Sequence, residues 1–600
     1  MVAEIADEHR PILTAQPEHD RARVLGRRVV QLVILLVPIV FLAYMGWQRR
    51  WTADDGFINL RIVRQILAGN GPVFNIGDRV EAGTSPAWLG LLAVLDVLTP
   101  VRLEWIAVFA GLGATVGGLA FAIFGTRDAL AAGRPGRCTF LPLGALVYAV
   151  VPPAWDFATS GLETGLSLLW LGVMWWLLCR RVAAVERRGG PPPVVVAIVA
   201  GIGPLVRPDF LLFTVFFVVA LLVTCERRPR VVIGVVASAL VLPVAAELFR
   251  MAYFASIVPN TAVAKEATRS YWNQGWRYLE NFSGIYYLYV PVTVLLILLA
   301  LGLRRGESPT GVAFRRVAWL VVAAAVLQAA YVTRVGGDFM SGRMLLPALF
   351  VVLLPVAVVR VTEWVQWVAA GIVVVWAFGC AISFRPDAIV DFDFVAENNR
   401  VIDERAYWVG AAGSTNPVTI DDYSASVLVG DGRYAAELAR RGERVLILTA
   451  LPEADRLMPI RPGSTVPVVA DVGPMGLYAY SAGTDVSVVD TFGLSDSTAS
   501  HQFVPVRGRP GHEKYRGAPW VIAEYADPAA PIPPMIPADQ VLAARRALDC
   551  AELANLRGSQ QATLSVRQIL HNVIGSYGLT KFRYAPDPIT AERELCGQSG

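Results

Sequence analysis

Two adjacent carboxylates, Asp54 and Asp55, follow the first long apolar stretch, Val29–Trp47, and the pair Arg49 and Arg50 that closes it. An Asp pair at such a place has two readings. As the opening residues of a helix, the carboxylates satisfy free backbone N–H groups and suit the helix dipole. At the edge of a bilayer, carboxylates are costly to desolvate and tend to face a cavity, where a pair suits acid–base work or the holding of a divalent cation. No metal or other cofactor is demanded by the pattern, and both readings stay open on sequence.

Polar residues recur at the ends of other apolar runs. Glu163 closes Thr159-Ser160-Gly161-Leu162-Glu163, Arg207-Pro208-Asp209 interrupts a run, and Gly336-Gly337-Asp338 with Arg343 precedes another. Any one of these is a span-end anchor by itself, but together on one face they make a site. Val258-Pro259-Asn260-Thr261 is followed by Lys265, and cations beside carboxylates suit a phosphate leaving group. Lys265, Arg343 and Arg207 are therefore the candidate phosphate-binding residues. Glu163, Asp209, Asn260 and Asp338 are candidates for shaping the cavity or holding a cation.

The elements that position these residues must be membrane spans. The chain has 600 residues, 55% of them hydrophobic and 17% charged, with a mean hydropathy of +0.49. Charged residues make up about 25% of ordinary soluble chains. Asp and Glu become dense again only after about Ser383, so the chain comprises two objects, a polytopic α-helical membrane region and a polar domain. A net charge of +4, with no long basic block, excludes a nucleic-acid role. None of the six cysteines sits in a CxxC or Cys/His spacing, which argues against zinc.

The polar residues 1–28 end in Arg21, Arg23, Arg27 and Arg28, and Val29–Trp47 reads as an uncleaved signal anchor with a cytoplasmic N-terminus. Further apolar runs lie between Pro86 and Ile382. Arg127/Arg134/Arg137, Arg180/Arg181/Arg187/Arg188, Arg227/Arg228/Arg230 and Arg304/Arg305/Arg315/Arg316 mark cytoplasmic loops under the positive-inside rule. This leaves about eleven crossings within 29–383, either with Pro86–Leu98 dipping in without crossing, or with a full crossing there and Val194–Thr224 as one kinked helix. Residues 51–85, 250–284 and 334–343 then form outer-face loops, and 384–600 lies on that same face. In the first loop Phe57, Leu60, Ile62, Val63, Ile66 and Leu67 line one side of a helix that starts at Asp54-Asp55 and stops at Gly69-Asn70-Gly71-Pro72. Such a helix is expected to lie along the membrane surface.

The region from Arg385 on has short β-rich runs, Val445–Leu448, Val466–Ala470 and Val486–Val489, with helical segments near Asp393–Ala406 and Ala538–Leu556. It reads as a soluble α+β or β-sandwich-like domain of about 215 residues. Cys550 and Cys596 are its only cysteines, and in the oxidising compartment that the topology implies they are expected to pair.

Trp51-Thr52-Ala53-Asp54-Asp55-Gly56-Phe57-Ile58-Asn59, Glu81-Ala82-Gly83-Thr84-Ser85-Pro86, Ser160-Gly161-Leu162-Glu163-Thr164, Val258-Pro259-Asn260-Thr261 with Lys265, and Gly337-Asp338-Phe339-Met340 with Arg343 form an ordered series. The series resembles the GT-C glycosyltransferases, and more narrowly the terminal β-(1→2)-arabinofuranosyltransferases of mycobacteria and corynebacteria. Asp490-Thr491-Phe492-Gly493-Leu494-Ser495-Asp496 and Gly511-His512-Glu513-Lys514 extend the resemblance over nearly the whole chain. It implies a GT-C fold in the plasma membrane, with a decaprenyl-phosphate-linked arabinofuranose donor. The implied acceptor is the non-reducing ends of arabinan in arabinogalactan and lipoarabinomannan, and the implied site lies on the periplasmic face. The catalytic carboxylate would be Asp54 or Asp55, with His512 and Glu513 facing the cavity from the polar domain. Donor and product linkages of that family are both β, so the reaction retains configuration and needs a nucleophilic carboxylate or a front-side ion pair.

Rival readings are a mannosyltransferase of the same general plan using polyprenyl-phosphomannose, a transporter of lipid-linked sugars, and a sugar-binding scaffold. A transporter calls for polar residues at mid-membrane depth in two repeated halves, and no repeat is present. A scaffold would use Trp408, Trp520, Tyr423, Tyr478 and Tyr480 to stack on sugars and would tolerate loss of Asp54 and Asp55.

Overall fold

The structure is a computed structural model that describes residues 18–132, 139–186, 189–226, 228–304, 308–383 and 401–597. Arg134, Arg137, Arg187, Arg188, Arg227, Arg305 and the first part of the helix expected from Asp393 lie outside these segments. Among the described residues six helices are long and apolar enough to cross a bilayer: Leu25–Gln48, Leu103–Ala131, Thr164–Ala183, Pro229–Phe254, Pro309–Val335 and Trp364–Ile382. Trp272–Ile285 and Tyr289–Leu303 form a further apolar pair bent by 83°. Four shorter apolar helices, Pro86–Leu98, Pro193–Val206, Pro208–Val223 and Arg343–Val356, complete the set.

Several apolar runs of the sequence are broken into pieces, each with a local cause. Pro208 removes an N–H just after Arg207, whose φ of −153° is extended, so the apolar run divides there. The Thr139–Val151 stretch is no single helix. Thr139–Leu141 pairs antiparallel with Val359–Val361, and a short helix, Leu143–Ala149, follows. The two most closely packed spans, Leu103–Ala131 and Thr164–Ala183, meet along a glycine seam. A Cβ on Gly172 would collide with the Gly118 carbonyl, and one on Gly165 with that of Gly111. Small residues one heptad apart let two backbones approach where lipid supplies no hydrophobic drive.

The C-terminal region is built on a four-stranded sheet ordered Leu457–Pro459, Val445–Leu448, Val468–Val472, Val486–Asp490. Its first pair is antiparallel and the next two pairs are parallel, with Val445 opposite Val468 and Val468 opposite Val486. Helices flank this mixed sheet, which overturns the β-sandwich expectation. The last two strands are buried at every position, as parallel strands covered on both faces must be, and so they lack the alternation a sandwich shows. Cys550 and Cys596 form a disulfide, with Cα atoms 5.5 Å apart.

The first-loop helix, Asp54–Leu67, is buried in protein over most of its length. Its apolar side is buried as expected, but its polar side is covered by the C-terminal domain. Arg61, 1% exposed, donates to the carbonyls of Ala479, Gly483, Val486 and Phe74. The Trp272–Ile285 helix in the second loop turns sharply into the helix after it and leaves Trp272 and Trp276 exposed. Aromatic residues of this kind favour the headgroup level.

Candidate active site

The carboxylate pair sits where the two halves of the molecule meet. The first-loop helix starts with Asp54, but its N-cap is Ala53, which makes no side-chain cap. The Asp54 carboxylate instead accepts from the backbone N–H of Leu477 at 2.7 Å and of Gly476 at 3.2 Å. It therefore caps the Gly476–Ala482 helix of the other domain, so of the two readings left open on sequence the self-capping one does not describe Asp54. Gly476 is required at this contact, because a Cβ there would run into the Asp54 backbone carbonyl. Burial pushes the Asp54 pKa up to about 7, against the pull of the Leu477 N–H.

Asp55 has a different setting. It is only half-buried and lines a cavity together with Asp54, Lys265, Phe339, Glu404 and His512. Its Oδ2 lies 3.4 Å from Arg343, whose same nitrogen is 3.3 Å from Asp338. Burial raises the Asp55 pKa, and Arg343 and Lys265 oppose that rise. Lys265 itself makes no ion pair among the described residues. The Pro309–Val335 helix ends on Gly336 and Gly337, at φ +103° and +70°, conformations open to glycine. The ring of Tyr278 packs directly on Gly337, and its hydroxyl donates to Met340 O at 2.9 Å while accepting from Met344 N. This turn sets Asp338 and Arg343 under Asp55.

Of the other candidates, Arg207 is taken up by Glu163 at 3.2 Å and Asp209 at 3.0 Å, and Asp209 also accepts from Gln328. This buried set supports the cavity floor through charge; none of the three lines the cavity. Asn260 donates to Gly493 O and Leu494 O, pinning the loop whose Phe492 and Leu494 form a cavity wall. His512 is in the lining, edge-on to both Phe339 and Phe492, and burial lowers its pKa to about 3, so it is neutral. Glu513 is not in the lining. Its side chain is fully buried against Arg507, an ion pair that holds the loop. Asp490 likewise folds its own segment by accepting from Phe492 N and Ser495 N.

Glu404 and Arg509 line the cavity and were not singled out from the sequence. Arg509 stacks over Phe339 at 4.4 Å. Glu404 accepts from Trp408 Nε1 at 2.7 Å, and burial, reinforced by the negative charge of Asp55, raises its pKa to about 8. The signal available was Glu404-x-x-x-Trp408, one turn apart on the Glu404–Ala412 helix. Of the five aromatics weighed as sugar stackers, Trp408 lines the cavity, whereas Trp520, Tyr423, Tyr478 and Tyr480 are core. Among the described residues no group of three or more His, Cys, Asp or Glu side chains is placed to hold a metal ion.

The arrangement sets Asp55 beside Arg343 and Lys265, with Asp54 held by the amides of Gly476 and Leu477 and the Glu404 carboxyl raised in pKa by burial. Residues 461–585 match the family profile described as the AftB family C-terminal domain. The chain is 35% identical to a terminal β-(1→2)-arabinofuranosyltransferase of Mycobacterium tuberculosis, over 92% of this chain and 95% of that one. It is 33% identical to a protein of the same name from Corynebacterium glutamicum, over 91% of this chain and 84% of that one.

Proposed function

The chain belongs to the AftB family of terminal β-(1→2)-arabinofuranosyltransferases, and from that premise we propose that it transfers an arabinofuranosyl residue from a lipid-phosphate donor to the non-reducing ends of arabinan. The observation that carries the assignment of roles is the division between the two carboxylates. Asp54 is committed to the amides of Gly476 and Leu477, whereas Asp55 keeps an oxygen on the cavity beside Lys265 and Arg343.

In the proposed reaction the bond from the anomeric carbon to the phosphate oxygen breaks, and Lys265 and Arg343 take up the charge left on the phosphate. Asp55 stands on the opposite face of the sugar. It either bonds to the anomeric carbon or holds the cation that forms there, and both routes need one unencumbered carboxylate oxygen. The acceptor hydroxyl then arrives on the face the phosphate left, which gives retention, and its proton passes to the departing phosphate. Glu404, protonated at neutral pH, hydrogen-bonds sugar hydroxyls without adding a second negative charge. Arg207, Glu163, Asp209 and Asp338 position Arg343 and are not placed at the reacting atoms.

The finer assignments belong to the same proposal: a decaprenyl-phosphate donor, a plasma-membrane location, domain limits of 29–383 and 384–600, about eleven crossings, a cytoplasmic N-terminus and a periplasmic C-terminal domain. They are supported by the arginine-bearing loops at one end of the helices and the carboxylate cavity at the other. Purified protein incubated with radiolabelled decaprenyl-phosphoarabinose and a synthetic arabinan acceptor should yield a β-(1→2)-linked product. An α-linked product, or none from a folded preparation, would remove the proposal.

A further inference from the structure

The Val566–Lys581 helix of the C-terminal domain is amphipathic in the wrong sense for a soluble protein. Its buried side carries Asn572, Ser576, Leu579 and Thr580. Its outward side carries Val566, Leu570, Ile574 and Tyr577, at helical spacing, with Val566 76% and Ile574 83% exposed. A continuous apolar stripe left open marks a surface that something covers. The helix contains no Asp or Glu in its 16 residues, while Arg567, His571 and Lys581 flank the stripe.

Its place in the fold identifies the cover. Asn572 donates to the carbonyl of Ala252 at 2.9 Å, and Ile257 N donates to Thr580 Oγ1 at 3.0 Å, so the helix is fastened to the end of the Pro229–Phe254 span. Ala252 shares one helical face with Val241, Ala245 and Leu248, all three of which are exposed. That face is the outer, lipid-contacting side of a peripheral span, and the C-terminal helix overhangs it. We infer that Val566–Lys581 is an in-plane anchor whose apolar stripe beds into the lipid headgroup layer, with its basic residues meeting anionic lipid phosphates. Lys581 bonds the hydroxyl of Tyr577 and stacks on its ring at 4.2 Å, an arrangement suited to the boundary between apolar and wet regions. The fold gains a second attachment for the C-terminal domain, independent of the cavity contacts and of the reaction assigned above.

The test places a nitroxide at residue 574 of the full-length protein, with the free cysteines replaced and the Cys550–Cys596 pair kept, in nanodiscs containing phosphatidylglycerol. Collision rates are compared for oxygen, which partitions into lipid, and for a water-soluble nickel chelate. Oxygen should dominate at 574 and at 570, and the chelate at a control label on Glu443, an exposed loop residue of the same domain. A chelate-dominated signal at 574 overturns the inference. Protection from both reagents means that protein covers the stripe and overturns it equally. If the label at 574 prevents folding, Tyr577 carries the same test.

Discussion

Buried charges are handled in opposite ways at the cavity and in the C-terminal domain beside it. In the domain three buried cations have close carboxylate partners: Arg516 lies between Asp496 and Glu524, Lys514 pairs with Glu266, and Arg507 with Glu513. At the cavity Arg343 reaches Asp55 and Asp338 only at 3.4 and 3.3 Å, and Lys265 pairs with none of the described carboxylates. Desolvating a charge is costly unless partners make up the loss. A paired set is therefore architecture, whereas the incomplete one at the cavity leaves charge for the proposed donor phosphate to meet.

The contrast is sharpest between the two adjacent aspartates. Asp55→Asn should lower kcat by about 10³-fold or more, with the protein still folded, because it removes the one carboxylate oxygen facing the reaction. Asp54→Asn keeps one acceptor for the Leu477 N–H and should lose activity by only about tenfold, through a domain contact weakened by roughly 1–3 kcal/mol. Equal losses in single-turnover assays would show that the pair acts as a unit. The sign of the Asp54 pH dependence also follows. Its pKa in the fold, about 7, stands above the ordinary carboxylate value, so the protonated form is favoured by folding. That contribution is whole below about pH 4 and is lost as pH rises through about 7. Thermal unfolding of Asp54→Asn should show a flatter pH dependence over that window.

Arg507→Ala probes the other side of the comparison. It leaves the buried Glu513 carboxylate without its cation and should cost about 3–5 kcal/mol of stability. The fraction that folds should retain its kcat. A large kcat defect in protein of unchanged melting temperature would move Glu513 back into the site.

Sequence made the membrane half of the site readable because its residues sit at span ends, where polar groups stand out against apolar runs. Asp54, Asp55, Lys265, Asp338 and Arg343 could all be picked that way, and they do converge. The resemblance put Glu513 at the cavity, yet its side chain is given to an ion pair with Arg507, whereas Asn260 shapes the cavity only through the wall loop that it pins. Sequence order does not say whether a polar side chain spends its capacity on backbone nearby. Glu404 escaped notice for the converse reason: in a polar domain one more carboxylate has no contrast. The first-loop helix was recognised from its period, but its amphipathic pattern could not tell a membrane from the face of another domain. Arg61, reaching four carbonyls, decided that.

Lys265→Ala tests the incomplete set directly. One charge-assisted contact to the donor phosphate should be lost, raising the donor KM and lowering kcat/KM by about 10- to 100-fold with little effect on melting temperature. Lys265→Glu should be worse, by placing a negative charge beside Asp55. Unchanged donor affinity in both variants would take Lys265 out of the site.

The smallest effect is expected at Glu404, and it should be visible only as a change in pH profile. With a pKa of about 8, its carboxyl is protonated at neutral pH, and the amide of Glu404→Gln reproduces both a donor and an acceptor. Activity at pH 7 should therefore stay within about threefold of the parent. Above pH 8 the parent carboxyl ionises next to Asp55 and the donor phosphate, and the added negative charge should weaken donor binding, so kcat/KM should fall as pH rises. Glu404→Gln cannot ionise and should keep its kcat/KM through that range. A parent profile that is flat from pH 7 to 9, or a variant that falls with the parent, would show that Glu404 carries its charge already and belongs with the fully partnered residues.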